Sequence, residues 1–166
     1  MWIWIVVIVA SVFADQLTKQ LVVNFLDREE PFDVIEGVFR FSYVENRGAA
    51  FGMLDDHRWV FMIVSTLAIV GIIFYMWKFC RDSKLLCLGL SLIVGGGIGN
   101  MIDRCFRGSV VDFIDVDFID FYVFNVADMF VCVGCGLMIL YIIISEIKEA
   151  KAKKAEKELS DADKSE

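Results

Sequence analysis

The sequence predicts an all-α integral membrane protein with four transmembrane helices and a small extracytoplasmic β element. Three observations carry that expectation. Hydrophobic residues make up 58% of the 166-residue chain, against roughly half, glycine included, in an ordinary soluble domain. Residues 2–25, 59–77, 85–102 and 123–144 are apolar stretches long enough to cross a hydrocarbon core of about 30 Å. A run of strand-forming residues lies between the first two of them.

The first span has a rival reading, because Val12-Phe13-Ala14 offers the small residues of a signal-peptidase cleavage site. No Lys or Arg precedes the apolar run, however, and Leu21-Val22-Val23 continues it past Asp15-Gln16-Leu17-Thr18-Lys19, so a retained span is expected. The following segment, 34–53, contains Val38-Phe39-Arg40-Phe41-Ser42-Tyr43-Val44 bounded by Gly37 and Asn46. Its partial alternation reads as a small β element resting on the membrane surface.

The second and third spans are joined by a short turn with Lys78, Arg81 and Lys84. Placing both termini in the cytoplasm puts nine Lys and Arg on the inner side and six on the outer, which favours that orientation. The second outer segment carries Asp112, Asp115, Asp117 and Asp120 on no single helical or strand face, and its conformation is left open. The fourth span ends in a charged cytoplasmic tail, 146–166, set apart from a transmembrane domain over 1–145. The two outer segments, Asp27 to Arg58 and Asp103 to Tyr122, net −4 and −3 and so account for the chain's −7.

Composition removes several chemistries. The single histidine, His57, sits in the charged loop Asp55-Asp56-His57-Arg58, so a paired-histidine zinc motif is impossible. Net negative charge without a basic patch argues against nucleic acid. Five cysteines, an odd number, make no disulfide framework.

Charges inside a membrane are costly, so each one is a functional hypothesis. Asp15 and Lys19 are one turn apart and form a self-neutralising pair on the plain reading. The glycines of Gly95-Gly96-Gly97-Ile98-Gly99 read as close helix packing. Asn100 and Asp103 share a face at the outer end of the third span, where Asp103 opposes the helix dipole and calls for a cation such as Arg104. In Phe124-Asn125-Val126-Ala127-Asp128, Asn125 is a good N-cap and Asp128 falls in the first turn. Asp112 lies between Val110-Val111 and Phe113-Ile114, surroundings that raise a carboxyl pKa. The alternation of the spans brings Asp15, Asn46, Asn100, Asp103, Asp112, Asn125 and Asp128 to the outer membrane edge. The economical chemistry there is a pair of aspartates sharing a proton, one deprotonating water and the other protonating the substrate oxygen. The residues alone leave Asp103 a competitor of Asp112 for that pair.

Five blocks in order resemble the lipoprotein signal peptidases, the type II signal peptidases of bacteria. They are Asp15 to Lys19, Asn46-Arg47-Gly48-Ala49-Ala50-Phe51, Gly95 to Arg104, Val110-Val111-Asp112-Phe113 and Phe124 to Asp128, within about residues 1 to 145. The resemblance implies an intramembrane aspartic protease that cuts a prolipoprotein just before its diacylglyceryl-modified cysteine. It implies Asp112 and Asp128 as the dyad, with support from Asp15, Lys19, Asn46, Gly48, Asn100, Asp103, Arg104, Asn125 and Ala127. Its expected partners are lipidated prolipoproteins and membrane lipid. A monomer in the bacterial cytoplasmic membrane is expected, with the active site at the outer face and neither cofactor nor metal. Met129 departs from the small hydroxyl residue usual after the second aspartate. The competing reading is a membrane thiol oxidoreductase built on Cys132-Val133-Gly134-Cys135, or an ion carrier.

Overall fold

The structure is a computed structural model that describes residues 2–47, 58–79, 83–119 and 121–163. Its four helices are α1 (Trp2–Phe25), α2 (Arg58–Phe79), α3 (Lys84–Phe106) and α4 (Val126–Asp163), each with a stretch long and apolar enough to cross a membrane. Three strands, β1 (Phe32–Ile35), β2 (Phe39–Asn46) and β3 (Val110–Val116), form one antiparallel sheet in the order β1-β2-β3. The expected architecture is therefore the one observed.

α3 is the central post, and its small residues explain how the others reach it. A Cβ on Gly96 would collide with the Ala127 carbonyl oxygen of α4, and one on Gly99 would lie 2.5 Å from the Asp15 carboxylate of α1. Gly97 faces Ile69 of α2. Without side chains in the way, backbones approach closely, which drives association where lipid removes the hydrophobic incentive. At its N-terminal end Ser83 caps α3, its hydroxyl accepting from the Leu86 N–H at 3.3 Å. There Leu86, Cys87 and Leu90 form an apolar core with Trp4, Ile72, Met76, Ile93, Met138 and Tyr141. Cys87 is disulfide-bonded, so the odd cysteine count conceals one bridge.

α4 runs on unbroken from its span to Asp163, and two other boundaries that differ from the sequence expectation have a visible cause. α3 runs on past residue 102 to Phe106 and stops where Gly108 adopts φ 84°, its N–H returning to the Asp103 carbonyl at 3.1 Å. α4 starts at Val126 because the preceding residues are held by the sheet: the N–H groups of Phe113 and Ile114 donate to the Phe124 carbonyl at 3.0 and 2.7 Å. The open question over the aspartate-rich outer segment resolves as β3. That strand is buried on both faces from Val110 to Phe113, so it has no polar side to alternate with an apolar one.

Candidate active site

The C-terminal ends of α1 and α3 and the N-terminal end of α4 meet β3 in a cluster of fully buried polar residues: Asp15, Lys19, Asp103 and Asn125 are each 0% exposed. Among the described residues no buried side-chain polar atom in this protein lacks a partner, and burial without one would be costly.

Asp112 and Asp128 are joined through Asn125. Its Nδ2 donates to Asp112 Oδ1 at 2.6 Å, while its Oδ1 accepts the Asp128 backbone N–H at 3.0 Å. The Asn125 N–H in turn donates to Asp128 Oδ2 at 3.1 Å, closing a reciprocal cap at the start of α4. Asn125 thus caps the helix and touches the other aspartate at once. Asn46, the last residue of β2, donates from Nδ2 to Asp112 Oδ2 at 2.9 Å. Asn100 on α3 donates from Nδ2 to Asp128 Oδ1 at 2.8 Å. The Arg104 charge acts on Asp103, Asp112 and Asp128. Burial pushes the Asp112 carboxyl up to about 6, the nearby charge of Asp128 adding to the rise and the amides of Asn46 and Asn125 opposing it.

Asp15 and Lys19 do pair, at 3.0 Å, but the plain reading of a self-contained pair is too small. Asp15 Oδ1 accepts the Ala127 N–H of α4 at 3.0 Å. Lys19 reaches Asp103 Oδ2 at 2.9 Å and Asn100 Oδ1 at 2.8 Å, both on α3. The cation expected beside Asp103 is present, and more than one is. Among the described residues its ion pairs are with Lys19 and with Arg107, the latter at 3.5 Å, and the Arg104 charge acts on it as well. Arg104, the next residue along, is turned about a quarter of a circle away on the helix, whereas Arg107 lies one turn on. Asp103 also accepts the Val111 N–H, which ties α3 to β3 and gives it a structural place apart from the other two aspartates.

Sequence reasoning missed Gln16. Its Nε2 lies 3.1 Å from Asp15 Oδ2, 3.1 Å from the Gly99 carbonyl and 3.3 Å from Asp103 Oδ1. Its signal was an uncharged polar residue beside an intramembrane acid. Gly48 and His57 lie outside the described residues. Cys132 and Cys135 are free thiols, the first of them exposed on the lipid-crossing part of α4 and neither of them in the polar cluster.

Four membrane-length helices and a small sheet, with an acid–amide cluster where they meet, define a polytopic membrane protein. The chain belongs to the signal peptidase II family, whose model matches residues 7–144. The lipoprotein signal peptidase of Halalkalibacterium halodurans is 39% identical over 155 residues, covering 92% of this chain and 99% of that protein. The lipoprotein signal peptidase of Symbiobacterium thermophilum is 43% identical over 146 residues, covering 87% and 96%. A solved bacterial membrane enzyme superposes with a TM-score of 0.83 at 29% identity, over 88% of this chain and 90% of that one. Membership assigns the chain to cleavage of lipoprotein signal peptides.

Proposed function

We propose that the chain is an intramembrane aspartic endopeptidase that cleaves prolipoproteins before the diacylglyceryl-modified cysteine, with Asp112 and Asp128 as its dyad. The observation that carries this reading is the single amide of Asn125 bonded to both aspartates, 2.6 Å from Asp112 Oδ1 and 3.0 Å from the Asp128 nitrogen.

The two carboxyl groups divide the work by their surroundings. Asp112 is 2% exposed, and burial holds its proton up to about pH 6, which suits the acid. Asp128 lies in the first turn of α4, and its two oxygens accept from the Asn100 amide and the Asn125 N–H, which holds the carboxyl group in place for the part of the base. Asp128 removes a proton from water as its oxygen bonds to the scissile carbonyl carbon. Asp112 gives its proton to the carbonyl oxygen. When the tetrahedral intermediate collapses, the C–N bond breaks, the amine takes the proton from Asp128, and the remaining hydroxyl proton returns to Asp112. Asn46, Asn100 and Asn125 hold the two side chains, Asp15 fixes Ala127 at the start of α4, and Asp103 and Arg104 complete the charge balance. Gly48 belongs with the support on the resemblance alone.

The orientation that fits is both termini cytoplasmic and the dyad outside, reached by water from that face. The lipidated signal peptide enters sideways from the bilayer. An apolar cavity of about 640 Å³ at the outer end of α1 supports such entry; its lining includes Phe25, Phe32, Phe41 and Phe113, the last adjacent to Asp112. The catalytic unit is a monomer over 1–145, and the charged end of α4 lies outside it. Purified protein should cleave a lipidated prolipoprotein and leave its unlipidated counterpart intact. Equal cleavage of both would contradict the lipid-dependent reading.

A further inference from the structure

Asn100 and Asn125 can each be turned over without changing shape, exchanging donor for acceptor. The surrounding bonds decide which way they face. Lys19 is fully buried, and an ammonium group has donors only. Its Nζ lies 2.8 Å from Asn100 Oδ1, so Asn100 must turn its oxygen to α1 and its NH2 to Asp128 Oδ1, 2.8 Å away. That same oxygen also accepts from Asn125 Nδ2 at 3.1 Å, whose other hydrogen goes to Asp112 Oδ1 at 2.6 Å. The bonds from Lys19 through Asn100 to Asp128 therefore run in one direction, away from the residue that can only donate, while Asn125, whose oxygen accepts the Asp128 N–H, donates both to Asn100 and to Asp112.

We infer that Lys19 is a positioning residue for the reaction: acting through Asn100, it sets the polarity of that amide so that Asp128 faces an N–H donor. This rests on the dyad reading. The ion pairs with Asp15 and Asp103, at 3.0 and 2.9 Å, account for a buried lysine, but they do not require the third bond to Asn100. Without that donor only the longer bond from Asn125, at 3.1 Å, holds the Asn100 oxygen toward its place, and an amide that turns sets oxygen against Asp128 Oδ1, acceptor against acceptor. Asp128 then leaves the hydrogen-bond reach of its water.

The test is a double-mutant cycle on full-length protein, with turnover of a lipidated prolipoprotein as the readout. It combines Lys19→Met and Asn100→Ala in the wild-type and Asp15→Asn backgrounds. The second background restores charge balance if Lys19→Met alone does not fold. Each single change should lower kcat about 100-fold, as misplacement of a reacting group does, with KM held within about twofold. The pair should lose no more than either alone. Losses that multiply, or wild-type kcat in Asp15→Asn/Lys19→Met, would overturn the inference. Asp128→Asn runs alongside: its turnover at the wild-type rate would overturn the dyad and the inference with it. Multiplying losses beside an inactive Asp128→Asn would overturn the inference alone.

Discussion

The two ends of α3 are packed on different principles. At its N-terminal end Leu86, Cys87 and Leu90 touch apolar side chains from all three other helices, contacts that are individually weak and undirected. At its C-terminal end Asn100 and Asp103 meet Lys19, Asn125 and Asp128 through bonds that fix donor, acceptor and angle. One end of the helix is held by filling space, the other by matching charges and hydrogens. Where lipid is as apolar as leucine, a buried polar cluster of this kind specifies position far more tightly than an apolar one does.

The sharpest way to break the comparison is to change the polar end by one atom. Asp128→Asn keeps shape and removes the proposed base, and should cost about 10³-fold or more in kcat, measured on protein whose melting shows it folded. An apolar change at the other end should do the opposite. Leu90, 5% exposed, should cost about 2 kcal/mol or more of stability as Leu90→Ala, read from thermal or denaturant unfolding, while kcat stays near wild type. A third change tests the close approach that joins the two ends. Gly96→Val puts atoms on the Ala127 carbonyl and within 2.8 Å of Val131 Cγ2, and the overpacking should cost about 3 kcal/mol. Gly71→Val in α2, with nothing within 4 Å of its Cβ, should change stability by less than about 0.5 kcal/mol.

pH separates the ends as well. The Asp112 carboxyl rises from 3.8 to about 6 on folding, so the folded state binds its proton more tightly. Its contribution is fully present below about pH 4 and is lost as pH rises through 6, by about 3 kcal/mol at most. Asp112→Asn should therefore gain stability relative to wild type between pH 4 and pH 7 in paired melts, and Leu90→Ala should keep a constant offset. The smallest effect belongs to the CxxC pair: Cys132→Ala/Cys135→Ala should keep turnover within about twofold, since both thiols are free and sit apart from the dyad network.

Hydropathy made the four spans readable because a membrane helix needs length and apolarity and little else. It could not place the ends of α3 and α4. Gly108 with its positive φ stops one, and the bonds of Phe124 to β3 delay the other. The residues of the site were readable as polar atoms in the wrong solvent. Their connections were not, because Lys19 and Asn100 are separated by 81 positions and only the fold sets them 2.8 Å apart. Asp112 was readable as a carboxylate among apolar neighbours, yet its strand was hidden because both faces of β3 are covered. Asp103 shows the limit most plainly. By residue type it equals Asp112, and only its pairing with Lys19 and Arg107 tells the two apart.

The central claim is that Asp112 and Asp128 act together on one water. It is tested most directly by steady-state cleavage of a lipidated prolipoprotein by purified, folded Asp112→Asn, Asp128→Asn and the double variant. Each single variant should be as inactive as the double, because neither carboxyl group works without the other. Turnover near the wild-type rate by either single variant would contradict the account.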